Sequence, residues 1–390
     1  MSWTSRNFAK QYINHYSRKD TNHHIKGSDT AANRRTLVVV PHSVVIDDRL
    51  GSGRIDLFTT LVDTELDLNT AANWDSIATD YTVEATRAGK DFYYYDCMQP
   101  GTIPKILLSS NSTYPSGYTA NNSRKIGGFH CLCLDVGTIA SHPLTGFLTG
   151  DILPRSIWDL LHRSAGAQAG MVWAGSSPSD TRKGPPIWVA IYLASGTGET
   201  TASVFGGTIT VSRTWPDFVD DFAAIGCRML RDHEFQSIAA GSNEESKIST
   251  GVAPATTGGH VDTNTRRMVS DIGCEDCCGT LLQWIAETGY QLGGVKNHTH
   301  DVVVSGDPET VTTGNPSVDI SPDFATVDPG GSKGTYTAQG TYGEVAVKAG
   351  GLFNNGSGSG SRARDFSSRR FQVSSVNTSR FCASSVHLTS

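Results

Sequence analysis

The sequence predicts an α+β fold dominated by strands: a small β-sandwich toward the N-terminus, then a larger domain with a few short helices. Three observations predict it. Glycine makes up 41 of 390 residues and Ser and Thr are plentiful, a mix that favours strands and turns over a helical bundle. β-Branched runs cut by Gly and Pro recur at short spacing between Thr36 and Ser109, as in a chain of short strands. Helical signals gather near Arg155, Trp215 and Asp232.

Residues 1–35 are polar and basic, with His23-His24 and Arg34-Arg35 and no period. They read as an arm or docking peptide, or as a frayed terminus. The runs Thr36–Ile46, Asp56–Val62, Phe92–Tyr95 and Ile106–Ser109 read as strands of a sandwich over about 36–128. The tyrosines of Phe92–Tyr95 are aromatic strand residues in this reading. Gly127-Gly128 signals a hinge or close packing, and a domain boundary is drawn nearby. Pro154 supports a helix over Arg155–His162, with Ile157, Leu160 and Leu161 inward. Trp215-Pro216-Asp217 opens a second helix whose Phe218, Phe222 and Ile225 share one face, ended by Gly226. A third, Asp232–Ala240, turns Phe235, Ile238 and Ala239 inward. Pro186–Leu193 is a buried strand between the first two, and Leu281–Ile285 is a further apolar element. Residues 296–345, rich in Thr, Gly and Pro, read as an inserted β-meander or long loop.

The last 45 residues carry Gly350-Gly351, a Gly/Ser run ending at Ser361, then Arg362, Arg364, Arg369, Arg370 and Arg380, opposed only by Asp365. An acidic protein therefore ends in a locally basic, Gly/Ser-rich segment. Arg362 and Arg380 fit a role in locking the fold through backbone carbonyls. Arg364, Arg369 and Arg370 fit exposure and binding to carboxylate- or phosphate-bearing surfaces, because the guanidinium fork pairs with such groups.

Composition bounds the function. The length allows two or three domains at roughly 100–200 residues each. Hydrophobic residues are 37% and charged residues 18%; with glycine added, a core is possible and a disordered acidic tail is excluded. A net charge of −6 and a pI near 6.0 argue against a general nucleic-acid binder. No window approaches 18 apolar residues, so membrane insertion is not expected. The N-terminus lacks an apolar signal core, so synthesis in a cytoplasm without the usual export route is expected. Eight cysteines include Cys274, Cys277 and Cys278. Only Cys131 and Cys133 offer a second pair, so reduced structural thiols are favoured over zinc ligands.

Five blocks carry a resemblance: Pro115–Thr119 with Arg124–His130; Ser156–Asp159 with Gly170-Met171; Ile187–Leu193; Arg228–Leu230 with Glu234–Gln236; and Gly350-Gly351 with Gly360–Ala363. In this order, over about residues 85–390, they resemble the major tropism determinant family of phage tail-fibre receptor-binding proteins. The resemblance implies a C-type-lectin-type C-terminal domain. Diversity-generating-retroelement variable proteins and formylglycine-generating enzymes share that domain. It also implies a preceding β-sandwich and an intertwined homotrimer at a fibre tip. A C-terminal face that grips a host surface protein or glycan is implied as well. The domains become about 1–35 for attachment to other virion proteins, 36–128, and 129–390 with the 296–345 insertion. Carried over, the face includes Leu352, Asn354, Gly356, Gly358, Asp365, Ser367 and Ser368, then a subset of Gln372–Asn377 that takes in Gln372; Arg369 and Arg370 join it. Arg362, Ala363 and Arg380 match the scaffold. The first 35 residues, the longer insertion and the tail after Arg380 depart from the family.

Chemistry beyond binding is sparse. His298 and His300 would share one face of an extended strand. Three copies would place six nitrogens around an axis, and the segment is similar to those of long tail fibres that hold iron. Two solvated loop histidines are the alternative. Formylglycine-generating relatives depend on a redox cysteine pair, but no nucleophile here sits beside an ordered base. Asp217, Asp220, Asp221 and Glu234 read as helix-start and surface carboxylates. No enzymatic reaction is expected, and the calcium signature of animal lectins, Glu-Pro-Asn with Trp-Asn-Asp, does not occur. A tail or capsid decoration protein is the alternative to an adhesin.

Overall fold

A computed structural model describes residues 24–27, 30–47, 55–75, 79–99, 102–159, 169–175, 184–292, 295–298, 311–312, 335–337, 343–365 and 367–384. The chain divides into two compact units. The first comprises Met1–Asp135, Phe147–Arg163 and His387–Ser390; the second comprises Val136–Gly146 and Ser164–Val386.

The strands of the first unit are β1 His24–Ile25, β2 Thr36–Val39, β3 Ser43–Asp47, β4 Ile55–Thr59, β5 Thr64–Asp67, β6 Asp91–Cys97, β7 Lys105–Ser109, β8 Ser123–His130 and β9 Trp158–Asp159. They pair as a three-stranded sheet β1-β2-β5, a hairpin β3-β4 and a four-stranded sheet β7-β6-β8-β9. Alternate residues, Leu37 and Val39 on β2, Phe92 and Tyr94 on β6, and Ile106 and Leu108 on β7, join one apolar cluster with Trp74 and Phe129. The period of two puts each pair on one face of its strand. Tyr94 and Tyr95 are buried, and their hydroxyls donate to the Trp158 carbonyl (2.8 Å) and the Asn111 carbonyl (2.6 Å). They are aromatic strand residues, as expected.

Gly127 and Gly128 form no hinge. They lie inside β8, where a β-carbon on Gly127 would come within 2.0 Å of the Tyr94 hydroxyl and one on Gly128 within 2.7 Å of the Trp158 indole nitrogen. The expected Arg155–His162 helix is also corrected. Pro154–Ser156 makes one 3₁₀ turn, and Trp158 and Asp159 then pair with Gly128 and Gly127 as β9. Proline starts a turn there, but a bare glycine edge captures the chain before a helix can extend. Leu160, Leu161 and His162 lie outside the described residues.

The strands of the second unit are β10 Met171–Trp173, β11 Ile187–Ala190, β12 Arg228–Met229, β13 Leu282–Leu292, β14 Val295–His298, β15 Val311–Thr312, β16 Thr335–Thr337, β17 Gly343–Gly350, β18 Gly360–Asp365, β19 Asn377–Ser379 and β20 Phe381–Ser384. One sheet has the order β10-β11-β20-β12. The other runs β14-β13-β17-β18-β16-β15, with β19 parallel to β13. Strand β11 is an unbroken apolar run because both its neighbours and both its faces are covered. β14, β15, β16 and the start of β17 place strands in the 296–345 segment; the rest of that segment lies outside the described residues.

Two helices of this unit match the expected periodicity. Trp215–Ala224 starts with a Thr214–Asp217 capping box and Pro216 in its first turn, an arrangement that satisfies free N–H groups. Phe218 and Phe222 are buried, with Phe222 packed on Phe381 of β20 at 5.5 Å. Asp232–Ala239 buries Phe235, Ile238 and Ala239 together with most of its polar side chains. Asp221 and Glu234 are therefore not surface carboxylates. Asp221 is buried against Arg213 at 2.7 Å, and Glu234 against Arg228 at 2.6 Å. The Arg228 fork holds the Glu234 carboxyl below its usual range despite burial. All eight cysteines are buried, and none forms a disulfide. Among the described residues, no helix is long and apolar enough to cross a membrane.

Candidate functional site

The C-terminal arginines divide into two groups. Arg362, Arg364 and Arg380 are buried. Arg364 leaves the expected face altogether: it lies on β18 beneath the helix Asp232–Ala239, pairs with Asp232, and sits 5.3 Å from the Phe235 ring centroid. The register of β18 against β17 shifts between Gly360 and Arg364, and Arg364 turns to Asp232 and Phe235 of the helix. Arg380 donates to the Ala190 carbonyl (2.6 Å), the Ile191 carbonyl (2.5 Å) and the Glu275 carbonyl. It ties β11 to the cysteine loop, and its role in the frame is the expected one.

Gly350 and Gly351 begin the first outward loop. Both have left-handed backbones, φ +90° and +83°, and β-carbons there would meet the Cys277 carbonyl at 2.4 Å and Ser359 Oγ at 2.6 Å. Only glycine fits both constraints. The Leu352–Gly358 loop is then pinned by Phe353, whose N–H donates to the Thr280 carbonyl at 2.9 Å and whose ring joins Leu193, Ile209 and Leu281. Asn354, Asn355 and Ser357 are exposed; Leu352, Gly356 and Gly358 are half-buried. Gly356–Gly358 is a 3₁₀ turn.

The second loop, Ser367–Val376, alternates between tethers and exposed positions. The Ser368 carbonyl accepts from Ala346 N–H (3.2 Å), Arg370 from Trp215 (2.9 Å), Ser374 from Ser212 (3.0 Å) and Val376 from Leu282 (3.1 Å). Between these tethers, Arg369, Phe371, Gln372, Val373 and Ser375 are exposed. Ser368 itself is buried, so its side chain serves the frame and does not reach the face. Asp365 and Ser367 are half-buried at the loop entry, where Asp365 Oδ1 accepts from Ser367 N–H at 2.7 Å. Arg370 is half-buried, pairs with Glu344 at 3.0 Å and covers the Phe371 ring at 4.9 Å.

One contributor, Phe371, escapes the sequence reading, and Val373 falls in the Gln372–Asn377 stretch from which a subset is expected. Phe371 is 64% exposed and Val373 57%, large apolar side chains set beside two guanidinium groups. Their signal is the Phe-Gln-Val run between an arginine pair and serines, with no helix or strand to absorb it. Both loops are tethered at their base and expose polar residues, and the second adds the apolar pair Phe371 and Val373. The arrangement suits non-covalent recognition, in which aromatic and Arg anchors carry most of the energy.

His298 ends β14 opposite Gly289, and His300 lies outside the described residues. Among the described residues, no group of three or more His, Cys, Asp or Glu is placed to hold a metal ion.

Comparison with known proteins gives the following. Residues 59–159 match the family described as Mtd second domain. The tail fiber receptor-binding protein of Bordetella phage BPP-1 is 29% identical over 230 residues, 55% of this chain and 57% of that protein. The match thus spans little more than half of that relative. Among solved structures, the P3c variant of the major tropism determinant superposes with a TM-score of 0.60 at 22% identity, covering 93% of this chain and 84% of that one. The U1 variant gives 0.59 at 22% identity, covering 91% and 82%. The I1 variant gives 0.60 at 23% identity, covering 93% and 84%. Residues 59–159 thus match the Mtd second domain, and the chain shares the overall fold of the major tropism determinant structures over about nine-tenths of its length.

Proposed function

We propose that the chain is a phage tail-fibre receptor-binding protein that grips the host surface, without a chemical reaction, through the loops Leu352–Gly358 and Ser367–Val376. The observation that carries this reading is the alternation in the second loop: backbone tethers at 368, 370, 374 and 376, with Arg369, Phe371, Gln372 and Val373 exposed between them. A folded chain gains nothing from exposing Phe371 and Val373 on a tethered loop, whereas a binding face does. The named function of the Bordetella phage relative supports the same reading.

The finer architecture belongs to this proposal. The shared apolar cluster of the first unit supports a β-sandwich, and the second unit is the lectin-type domain, similar to that of formylglycine-generating enzymes. The chain acts as a homotrimer attached to other virion proteins through residues 1–35. Multivalency then raises its effective affinity by about 10²–10⁴ where geometry allows. A metal held by His298 and His300 at a trimer axis would give roughly a third of an atom per chain by elemental analysis; less removes that idea.

Competition tests the function. Purified protein should block adsorption of the phage that encodes it, and sedimentation should give the trimer mass. Purified protein that neither binds host cells nor slows adsorption would instead mark a decoration protein of the tail or capsid.

A further inference from the structure

We propose that Lys348 is a positioning residue: its buried ammonium holds the Ser367–Val376 loop in the conformation that exposes Arg369, Phe371 and Val373, and so sets affinity without touching the bound partner. The inference rests on the reading of that loop as the binding face.

Lys348 lies on β17 and is 3% exposed. Its Nζ donates to Ser368 Oγ at 2.6 Å, lies 3.0 Å from Asp365 Oδ2, and sits 5.3 Å from the Trp284 ring centroid. An ammonium has three donors; two are taken by the loop entry, and the indole face is a favourable neighbour for the charge. The other oxygen of Asp365 accepts from Ser367 N–H at 2.7 Å and from Ser367 Oγ at 2.5 Å. One cation thus orders residues 365, 367 and 368 together. The chain reverses immediately beyond them: Arg369 bridges Val345, and the Gln372 N–H closes a turn on the Arg369 carbonyl at 2.9 Å. The direction in which 369–373 project is therefore fixed within a residue of the lysine.

Stability alone does not call for a lysine here. A well-packed apolar residue commonly serves the fold as well as a buried ion pair. What the ion pair adds is a defined geometry for a loop that carries few apolar contacts of its own. A loop held in its competent conformation binds with its full intrinsic affinity, whereas one that visits it part of the time binds more weakly by that fraction.

The test pairs hydrogen exchange with adsorption competition on host cells, using the full chain. Lys348→Met keeps an unbranched stem over Trp284 and removes the charge. It should melt cooperatively, exchange about tenfold faster at Ser367–Val376 with β11 and β20 unchanged, and compete about tenfold less well. Lys348→Arg should recover most of both. Because the lysine acts through the loop, adding Arg369→Glu to Lys348→Met should cost less than the sum of the two losses. Unchanged loop exchange in folded Lys348→Met, or fully additive losses, overturns the proposal. If Lys348→Met does not fold, Ser368→Ala takes its place: faster loop exchange is expected, and unchanged exchange overturns the proposal. Faster loop exchange in a protein whose parent chain never competes for cells would fault the receptor-binding reading and leave the positioning role standing.

Discussion

Arg362, Arg364 and Arg380 and their neighbours Arg369 and Arg370 have the same chemistry and opposite uses. The first three are buried in the frame, where Arg380 saturates three backbone carbonyls and Arg364 is paired with Asp232. The other two lie on a loop, Arg369 exposed and Arg370 half-buried over Phe371. The difference shows that an arginine's role follows from the partners its strand or loop offers. A buried guanidinium surrounded by carbonyls fixes geometry; one at a tethered loop tip is available to a partner.

The largest effect should come from the frame. Arg380→Ala removes a charged donor from the buried Ala190, Ile191 and Glu275 carbonyls, of which Ile191 still accepts from the Glu275 N–H, so it should cost about 3–5 kcal/mol. That is a fall of roughly 10 °C in Tm for a unit of this size. A change below about 2 °C would break the distinction between frame and face.

Glu287 sharpens it by pH. Burial pushes this carboxyl up to about 7 from an ordinary 4.5, with the nearby Asp232 charge adding to the shift while the Asp232 N–H opposes it. The folded state thus favours the protonated acid. The stability Glu287 contributes is complete below pH 4.5 and is lost as pH rises through 7. Glu287→Gln should therefore leave Tm unchanged near pH 4 and raise it at pH 8, a stabilisation of about 3 kcal/mol at most. Equal melting of both proteins at pH 8 would mean that the site does not hold a neutral acid.

On the face the expected effects reverse. Phe371→Ser with Val373→Ser should leave melting within about 0.5 kcal/mol, because exposed side chains contribute little to stability. The same change should weaken competition for host cells by tenfold or more, the loss of about 1–2 kcal/mol of anchor energy. A large fall in Tm would place these residues in the core of an assembly and not at a receptor.

Much of the fold is legible in the sequence because burial imposes a period. Phe218 and Phe222 mark one helix, Phe235, Ile238 and Ala239 another, and Ile187–Ala190 a covered strand. The failures also have physical causes. Pro154 announces a helix, but the open glycine edge of β8 is a long-range partner that no local window contains. Arg364 reads as exposed because it stands in a Gly/Ser-rich segment with several arginines and one acid, and Lys348 gives no signal of its own. Here both faces of β17 and β18 are covered, and Asp232, Asp365 and Ser368 supply the partners. Phe371 escapes for the converse reason, since a lone large apolar residue gives no period that would mark it as exposed.

The most direct test of the central claim compares melting and adsorption competition for the wild-type chain and the variant carrying Arg369→Glu and Arg370→Glu. The fold loses the half-exposed Arg370–Glu344 pair and the Arg370 cover of the exposed Phe371 ring, each worth about 1 kcal/mol or less. An intact cooperative melt together with loss of competition is expected. A variant that melts as the wild type does and still blocks adsorption equally well would contradict the claim.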